Sequence, residues 1–441
     1  MTISTNLGYP RIGPNRELKR ALEGYWRGKH TQQELIETGK ALREQTWRLQ
    51  QSEGIHHIPS NDFSFYDHVL DTAVMVGAVP SRYGWAGGTV DPDTYFAMAR
   101  GRQNASNGQD VPAMEMTKWF NTNYHYIVPE FEAEQSFQVA STKPVDEFRE
   151  AQVLGVHTRP VLLGPVSFLL LGKSVSEDLN PISLLDDLLP VYTEVLRQLA
   201  DAGASWVQID EPCLVLDLAE DEVSAYRQAY AHFDTAGNLP DIALTTYFGP
   251  LRENMDTALH LPVQAIHLDV LSDPDELDRA LETIPADTNL SLGLLDGRNV
   301  WRADLEEKIA LTEKTVNALG DERVMIGPST SLLFVPIDTQ QEPALDNELL
   351  TWLSFAKQKL SEINLITRAV NEGRDVVEDA LNENHAAIES RRHSNRIHRD
   401  EVTDRVRRIS DDMYQRDSEY SERRTQQARE LNLPDLPTTS I

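Results

Sequence analysis

The chain has 441 residues, with 41 Lys and Arg against 70 Asp and Glu, a formal net charge of −29. A surface that acidic repels nucleic-acid phosphates and anionic membranes, which argues against partners of either kind. The single cysteine, Cys213, allows no intrachain disulfide and no thiolate metal site made from this chain alone.

Taken in chain order, short apolar runs stand at 2–10, 57–65, 160–168, 205–210, 242–248, 264–271, 290–297 and 323–330. Several are too apolar to alternate, as expected of strands covered on both faces. The N-terminus, Met1 to Gly13, has no apolar h-region, so no signal peptide is expected. Pro160 to Gly172 is the longest apolar stretch, but Gly164, Pro165 and Ser167 interrupt it. It also falls short of the ~20 residues a bilayer span requires. A cytoplasmic monomer is the expectation. Between the apolar runs lie helix-like segments such as 181–203, whose leucines recur at helical spacing and which Gly203 stops.

Eight strands alternating with helices predict an α/β fold, most simply a closed (β/α)8 TIM barrel, with an open doubly wound sheet as the rival. The stretch 66–158 is too long for a simple connection, so an inserted substructure is expected after the second strand. Beyond 338, Leu345, Leu349, Leu353, Ala356, Leu360 and Ile363 step by three and four and predict one long amphipathic helix. A polar, Arg/Glu/Asp-rich stretch follows to about Gln427 and predicts solvated helices. The expected domains are therefore a barrel over 1–338, a helical extension over 339–430 and a short β-like run over 431–441.

Three groups of residues could carry chemistry. RIGPNRELKR (11–20) places Arg11, Arg16, Lys19 and Arg20 just after the first strand, with Asn15 as the expected N-cap of a helix starting at Arg16. In a barrel that position is on the active face, and cations at a helix start attract carboxylates or phosphates. A solvated helix start is the plainer alternative. EMTKWFNTNYHYIVPE (115–130) gathers Trp119, Phe120, Tyr124, His125 and Tyr126 around Lys118. Such a mix suits a flat heterocycle with an acidic tail, or equally a core segment of the insertion. QIDEP ends a strong strand with Asp210 and Glu211, which face opposite sides. At a strand end they could act as acid and base or bind a cation or an amine; the plainer alternative is that one accepts local backbone hydrogen bonds. His267, Asp269, Asp296, Arg298 and Asn299 hold similar strand-end positions, and His267 reads as structural. His56 and His57 precede their strand and are expected at the inert end. Nothing in the sequence activates Cys213, so a buried, inert thiol is expected.

LGYPRIGPNRELKRALEGYWRG, DFSFYDHVLD, EMTKWFNTNYHYIVPE, RPVLLGPVSFLLLGK, WVQIDEP, GLLDGRNVWRADL and SRRHSNRIH occur in this order along essentially the whole chain. In these runs the chain resembles the N-terminal half of the cobalamin-independent methionine synthase family. The resemblance implies transfer of a methyl group from 5-methyltetrahydropteroyltri-L-glutamate to L-homocysteine, without cobalamin, by a protein of two similar barrels. It implies that zinc and the homocysteine site belong to the C-terminal barrel, whose opening strand the run 431–441 resembles. The zinc-ligand positions of that barrel correspond here to Thr245, Tyr247, Asp269 and Thr330, so no metal and no catalytic residue is expected in this chain. By the same resemblance, Arg16, Glu17, Leu18, Lys19 and Lys118 bind the triglutamate tail, with Glu17 and Leu18 acting through their backbone. Two other readings stand beside this one. In the first, the barrel is self-sufficient and uses Asp210, Glu211 or Asp269 with a harder metal. In the second, it is a purely structural scaffold.

Overall fold

The computed structural model describes residues 1–103, 110–176 and 179–438. Eight strands form the central sheet: β1 (Ile3–Ser4), β2 (Ile58–Ser60), β3 (Thr158–Leu163), β4 (Trp206–Asp210), β5 (Asp241–Thr245), β6 (Ala265–Leu268), β7 (Asn289–Leu295) and β8 (Val324–Pro328). Each falls within, or within two residues of, one of the eight apolar runs. All neighbours pair in parallel, in the order β1-β8-β7-β6-β5-β4-β3-β2. Thr5 pairs with His57, and Asn6 N–H donates to His57 O at 3.1 Å, so β1 also meets β2 and the ring closes. The rival open sheet is thereby excluded. β6 and β8 are buried along their full length, the pattern of strands covered on both faces.

Local sequence sets the helices. In the helix Gln32–Ser52, Thr31 and Glu34 form a reciprocal capping box that satisfies two otherwise orphaned N–H groups. The helix Leu185–Asp201 buries Leu188, Tyr192, Val195, Leu196 and Leu199 against the barrel, and Gly203 follows at φ 96°.

The insertion between β2 and β3 has structure of its own. It holds helices His68–Met75, Pro92–Arg100 and Lys143–Val153, and a hairpin of Met116–Lys118 with His125–Ile127. Leu70, Tyr83, Met98, Met114 and Ile127 pack there into a separate apolar cluster. Residues 104–109 lie outside the described residues.

Two local expectations fail. The long helix after 338 is two helices, Asn347–Trp352 and Ala356–Glu372. Leu353 between them is extended and pairs with Trp301, while Ser354 N–H donates to Val300 O, so a strand-like contact with the barrel overrides the helical period. The first helix starts at Glu17, not Arg16, and Asn15 does not cap it. Arg16 sits in the left-handed region at φ 62°, and the Glu17 carboxylate instead accepts from Asn15 N–H at 2.9 Å and from its side-chain amide.

Compactness divides the chain between Ala386 and Ala387. Leu360, Ile363 and Ile366 of the helix Ala356–Glu372 are fully buried in the same core as the barrel strands, which places that helix within the first unit. The second unit contains helices Asp400–Arg407 and Tyr420–Leu431, neither of which buries a residue. Residues 432–438 form no strand, and 439–441 lie outside the described residues. Among the described residues no helix is long and apolar enough to cross a membrane.

Candidate functional site

A polar column rises through the barrel. Arg159, the second residue of β3, reaches His57, Asn6 O and Gln208; Gln208 donates to Asp210 at 2.7 Å; Tyr247 OH donates to the other Asp210 oxygen at 3.1 Å. His56 and His57 lie at the inert end, as expected, where His56 meets Ser4. At the opposite, C-terminal end the loops after the strands converge, the usual place for barrel chemistry.

Here the inserted hairpin covers the mouth. Trp119 is buried against His68, Phe120 and Tyr126. Phe120 packs on Phe248 from the β5 loop, and Tyr124 packs on Phe334 from the β8 loop. Arg298, after β7, stacks on Phe248 and donates to Asn121 O. The aromatics of 115–130 are therefore mostly packing, and they close the barrel instead of lining an open slot. Beneath them remains a cavity of about 70 Å3. Sites for drug-sized ligands usually enclose roughly 300–1,000 Å3, so a pteridine has no room there. A wider groove of about 960 Å3 runs along helices Gln32–Ser52 and Lys143–Val153. Of its cations Lys40, Arg43, Lys143 and Arg149, Arg43 is bound to Glu147 and Glu150 and Lys143 to Asp71 and Glu147, so those two are neutralised from within.

The strand-end carboxylates have separate roles. Glu211 is fully buried, and its carboxylate accepts from Val166 and Ser167 N–H at the start of the helix Pro165–Leu170. It is the member of the QIDEP pair that satisfies local backbone. Burial pushes it up to about 7 against those hydrogen bonds. Asp210 faces the cavity, and burial pushes it to about 7 as well. Asp269 accepts from Ser272 and Leu271, and Asp296 from Arg298 and Asn299, both as turn-forming groups. His267 bonds Ser291 within the barrel, and burial pushes it down to about 3. Burial pushes the Cys213 thiol up to about 12.

The cations of 11–20 divide in two. Arg11 turns inward: it donates to Tyr66 O and to Tyr124 OH, and Tyr124 OH donates in turn to Asp67 at 2.9 Å. Asp67 also accepts from Leu70 and Ile127 N–H, so it caps the helix His68–Met75 and holds the hairpin at once. This clamp went unnoticed in the sequence, although DFSFYDHVLD carries Asp62, Asp67 and Asp71 at close spacing. Arg16, Lys19 and Arg20 face solvent. Arg16 lines a cleft with Leu333 and Pro336 of the β8 loop, and Asp338 and Glu342 stand in the same cleft. Lys19 pairs with Glu23 at 2.8 Å and remains about half exposed. Leu18 is buried beside Leu22 and Leu35, and its N–H donates to Ile12 O. Lys118 is exposed on the hairpin opposite His125. The structure thus sets Arg16 and Lys19 on one helix start, with Lys118 on a hairpin tied to the same loop through Arg11 and Tyr124.

A zinc ion does not fit this barrel. Thr245 and Thr330 are buried hydroxyls, Tyr247 is bound to Asp210, and Asp269 is committed to its own turn. Among the described residues no three His, Cys, Asp or Glu side chains gather as metal ligands would.

Comparison with known proteins agrees with this architecture. The 5-methyltetrahydropteroyltriglutamate–homocysteine methyltransferases of Caulobacter vibrioides and Salinibacter ruber are each 52% identical to the chain over its whole length. The matched part is 58% of each relative, so the chain spans little more than half the length of these proteins. A B12-independent methionine synthase from Shewanella, solved with selenomethionine, superposes with a TM-score of 0.54 over 80% of this chain and 91% of its own, at 14% identity, a likeness of fold alone. Residues 3–320 match the family model described as cobalamin-independent synthase, N-terminal domain, and the chain belongs to that family.

Proposed function

We propose that this chain is the folate-tail-binding part of a methyltransferase that carries a methyl group from 5-methyltetrahydropteroyltri-L-glutamate to L-homocysteine, giving L-methionine. Arg16, Lys19 and Lys118 grip the carboxylates of the triglutamate tail, while Glu17 and Leu18 hold the turn that presents them. The observation that carries this reading is an exposed cation group at a helix start, on the active-face side of the barrel, in a chain whose net charge is −29. Cations there make charge-assisted hydrogen bonds to carboxylates and gain from the helix dipole. The closed mouth supports the division of labour, since a pteridine must rest elsewhere.

In this reading residues 1–338 are the working barrel, 339–430 the extension and 431–441 the approach to a second, C-terminal barrel, which supplies zinc and the homocysteine site. When bound there, zinc would lower the pKa of the homocysteine thiol; this chain's own residues position the methyl donor. The protein acts as a cytoplasmic monomer.

Calorimetry with 5-methyltetrahydropteroyltriglutamate, and with the monoglutamate as control, tests the assignment. Triglutamate is expected to bind the 441-residue chain more tightly than monoglutamate, with affinity falling as salt rises. Lys19→Ala and Lys118→Ala are each expected to weaken it about three- to tenfold, the range for one partly exposed charge-assisted contact. Unchanged affinity in both variants rejects the site. The purified chain is expected to form no methionine, and methionine formation by it would overturn the division of labour.

A further inference from the structure

The small cavity under the hairpin has no part in the reading above. Its lining includes three carboxylates, Asp62, Asp71 and Asp210, and one ammonium, Lys143. Lys143 is already committed, to Asn61 at 2.7 Å, Asp71 at 3.3 Å and Glu147 at 3.4 Å. His68 also lines the cavity, but burial, reinforced by Arg11, pushes it down to about 3, so it adds no positive charge near neutrality. With its carboxylates ionised, the lining carries two more negative charges than positive ones.

Two of these carboxylates have unused acceptor capacity. Asp62 accepts from Tyr9 N–H through Oδ2, and among the described residues no other residue donates to its Oδ1. Asp210 takes one hydrogen bond on each oxygen, from Gln208 and Tyr247, and a carboxylate oxygen can accept two. Burial pushes both groups up to about 7, although Lys143 acts the other way on Asp62 and Arg159 on Asp210, so negative charge in this space is only partly compensated. The remaining walls include the aromatic rings of Trp119, Tyr247 and Phe334.

Size narrows the ligand. A buried water occupies about 10–15 Å3 on this measure, so a cavity of about 70 Å3 has room for about five waters. That excludes nucleotides, sugars and pteridines and admits a cation of a few heavy atoms. Among the described residues no three side chains converge as metal ligands, whereas aromatic walls suit an organic cation. We propose that the mouth of this barrel binds a small primary ammonium ion, its N–H donors meeting Asp62 and Asp210 and its alkyl end lying against Phe334 and Trp119.

Methylammonium chloride is the probe, titrated into the full chain at about pH 8, with sodium chloride at equal ionic strength as reference. Saturable heat above the reference is expected, together with a rise in the melting temperature. Asp62→Asn and Asp210→Asn are each expected to weaken binding about tenfold or more, since each loses a hydrogen bond to a charged donor. Phe334→Leu, in the aromatic part of the lining, is expected to weaken it less, and it carries the test if an Asn variant does not fold. Tetramethylammonium, bulkier and without N–H donors, is expected to bind at least about tenfold more weakly. Heat no greater than the reference, equal binding by every folded variant, or equal binding of tetramethylammonium would overturn the assignment.

Discussion

Asp210→Asn removes one titrating group from the barrel mouth and leaves its shape. In the parent, burial pushes this carboxyl from 3.8 to about 7, and the hydrogen bonds from Gln208 and Tyr247 and the charge of Arg159 only partly oppose it. The native chain therefore keeps the proton between about pH 4 and pH 7, where the unfolded chain has lost it. The native state binds more protons in that window, so the contribution of Asp210 is fully present below pH 4 and is lost as pH rises through 7. One pKa unit corresponds to about 1.4 kcal/mol, so the three units here set an upper bound of about 4 kcal/mol on the cost above pH 7. Asn carries no such cost. Its amide turns an N–H2 toward one of the two donors, Tyr247 OH or Gln208 Nε2, and forfeits about 1 kcal/mol. The variant is thus expected to be about 2–3 kcal/mol more stable than the parent at about pH 8.5, and slightly less stable at pH 4. Urea unfolding followed by far-UV circular dichroism at both pH values measures the difference. A variant that is destabilised at pH 8.5, or a difference that does not change with pH, would refute the assignment of a buried, proton-retaining Asp210.

Glu211→Ala strips the acceptor from Val166 and Ser167 N–H and is expected to cost about 2–4 kcal/mol, read as a lowered urea midpoint. Gly164→Ala brings a Cβ to 2.1 Å from the same carboxyl group; a loss of at least about 1–3 kcal/mol is expected, and a neutral result would show that the Glu211 contact is absent. Cys213 is expected to resist iodoacetamide in the native chain near pH 8 and to react in concentrated urea, because burial keeps it a thiol. Rapid native labelling, detected by mass spectrometry, would contradict that.

The barrel was legible because its physics is local. Eight runs of continuous apolar residues mark strands buried on both faces, and the order of β1 to β8 around the ring follows the chain. The exposed cations Arg16 and Lys19 were equally visible, standing out against an acidic background. Arg11 was not separable from them, since its partners Tyr124 and Asp67 lie 113 and 56 residues further on. The break at Leu353 was hidden for the same reason: its leucines keep a helical period, and only the contact with Trp301 and Val300 overrides it.

Residue type and spacing alone determined the strands, the absence of a thiolate metal site and the charge contrast, because each depends on groups close together in the chain. Tertiary structure alone decided that Asp210 faces a cavity while Glu211 caps a helix, that a hairpin from the insertion closes the mouth, and that Asp62 and Asp210 share one small space. Those outcomes turn on burial and on partners brought together across the barrel, and neither quantity exists until the ring has closed.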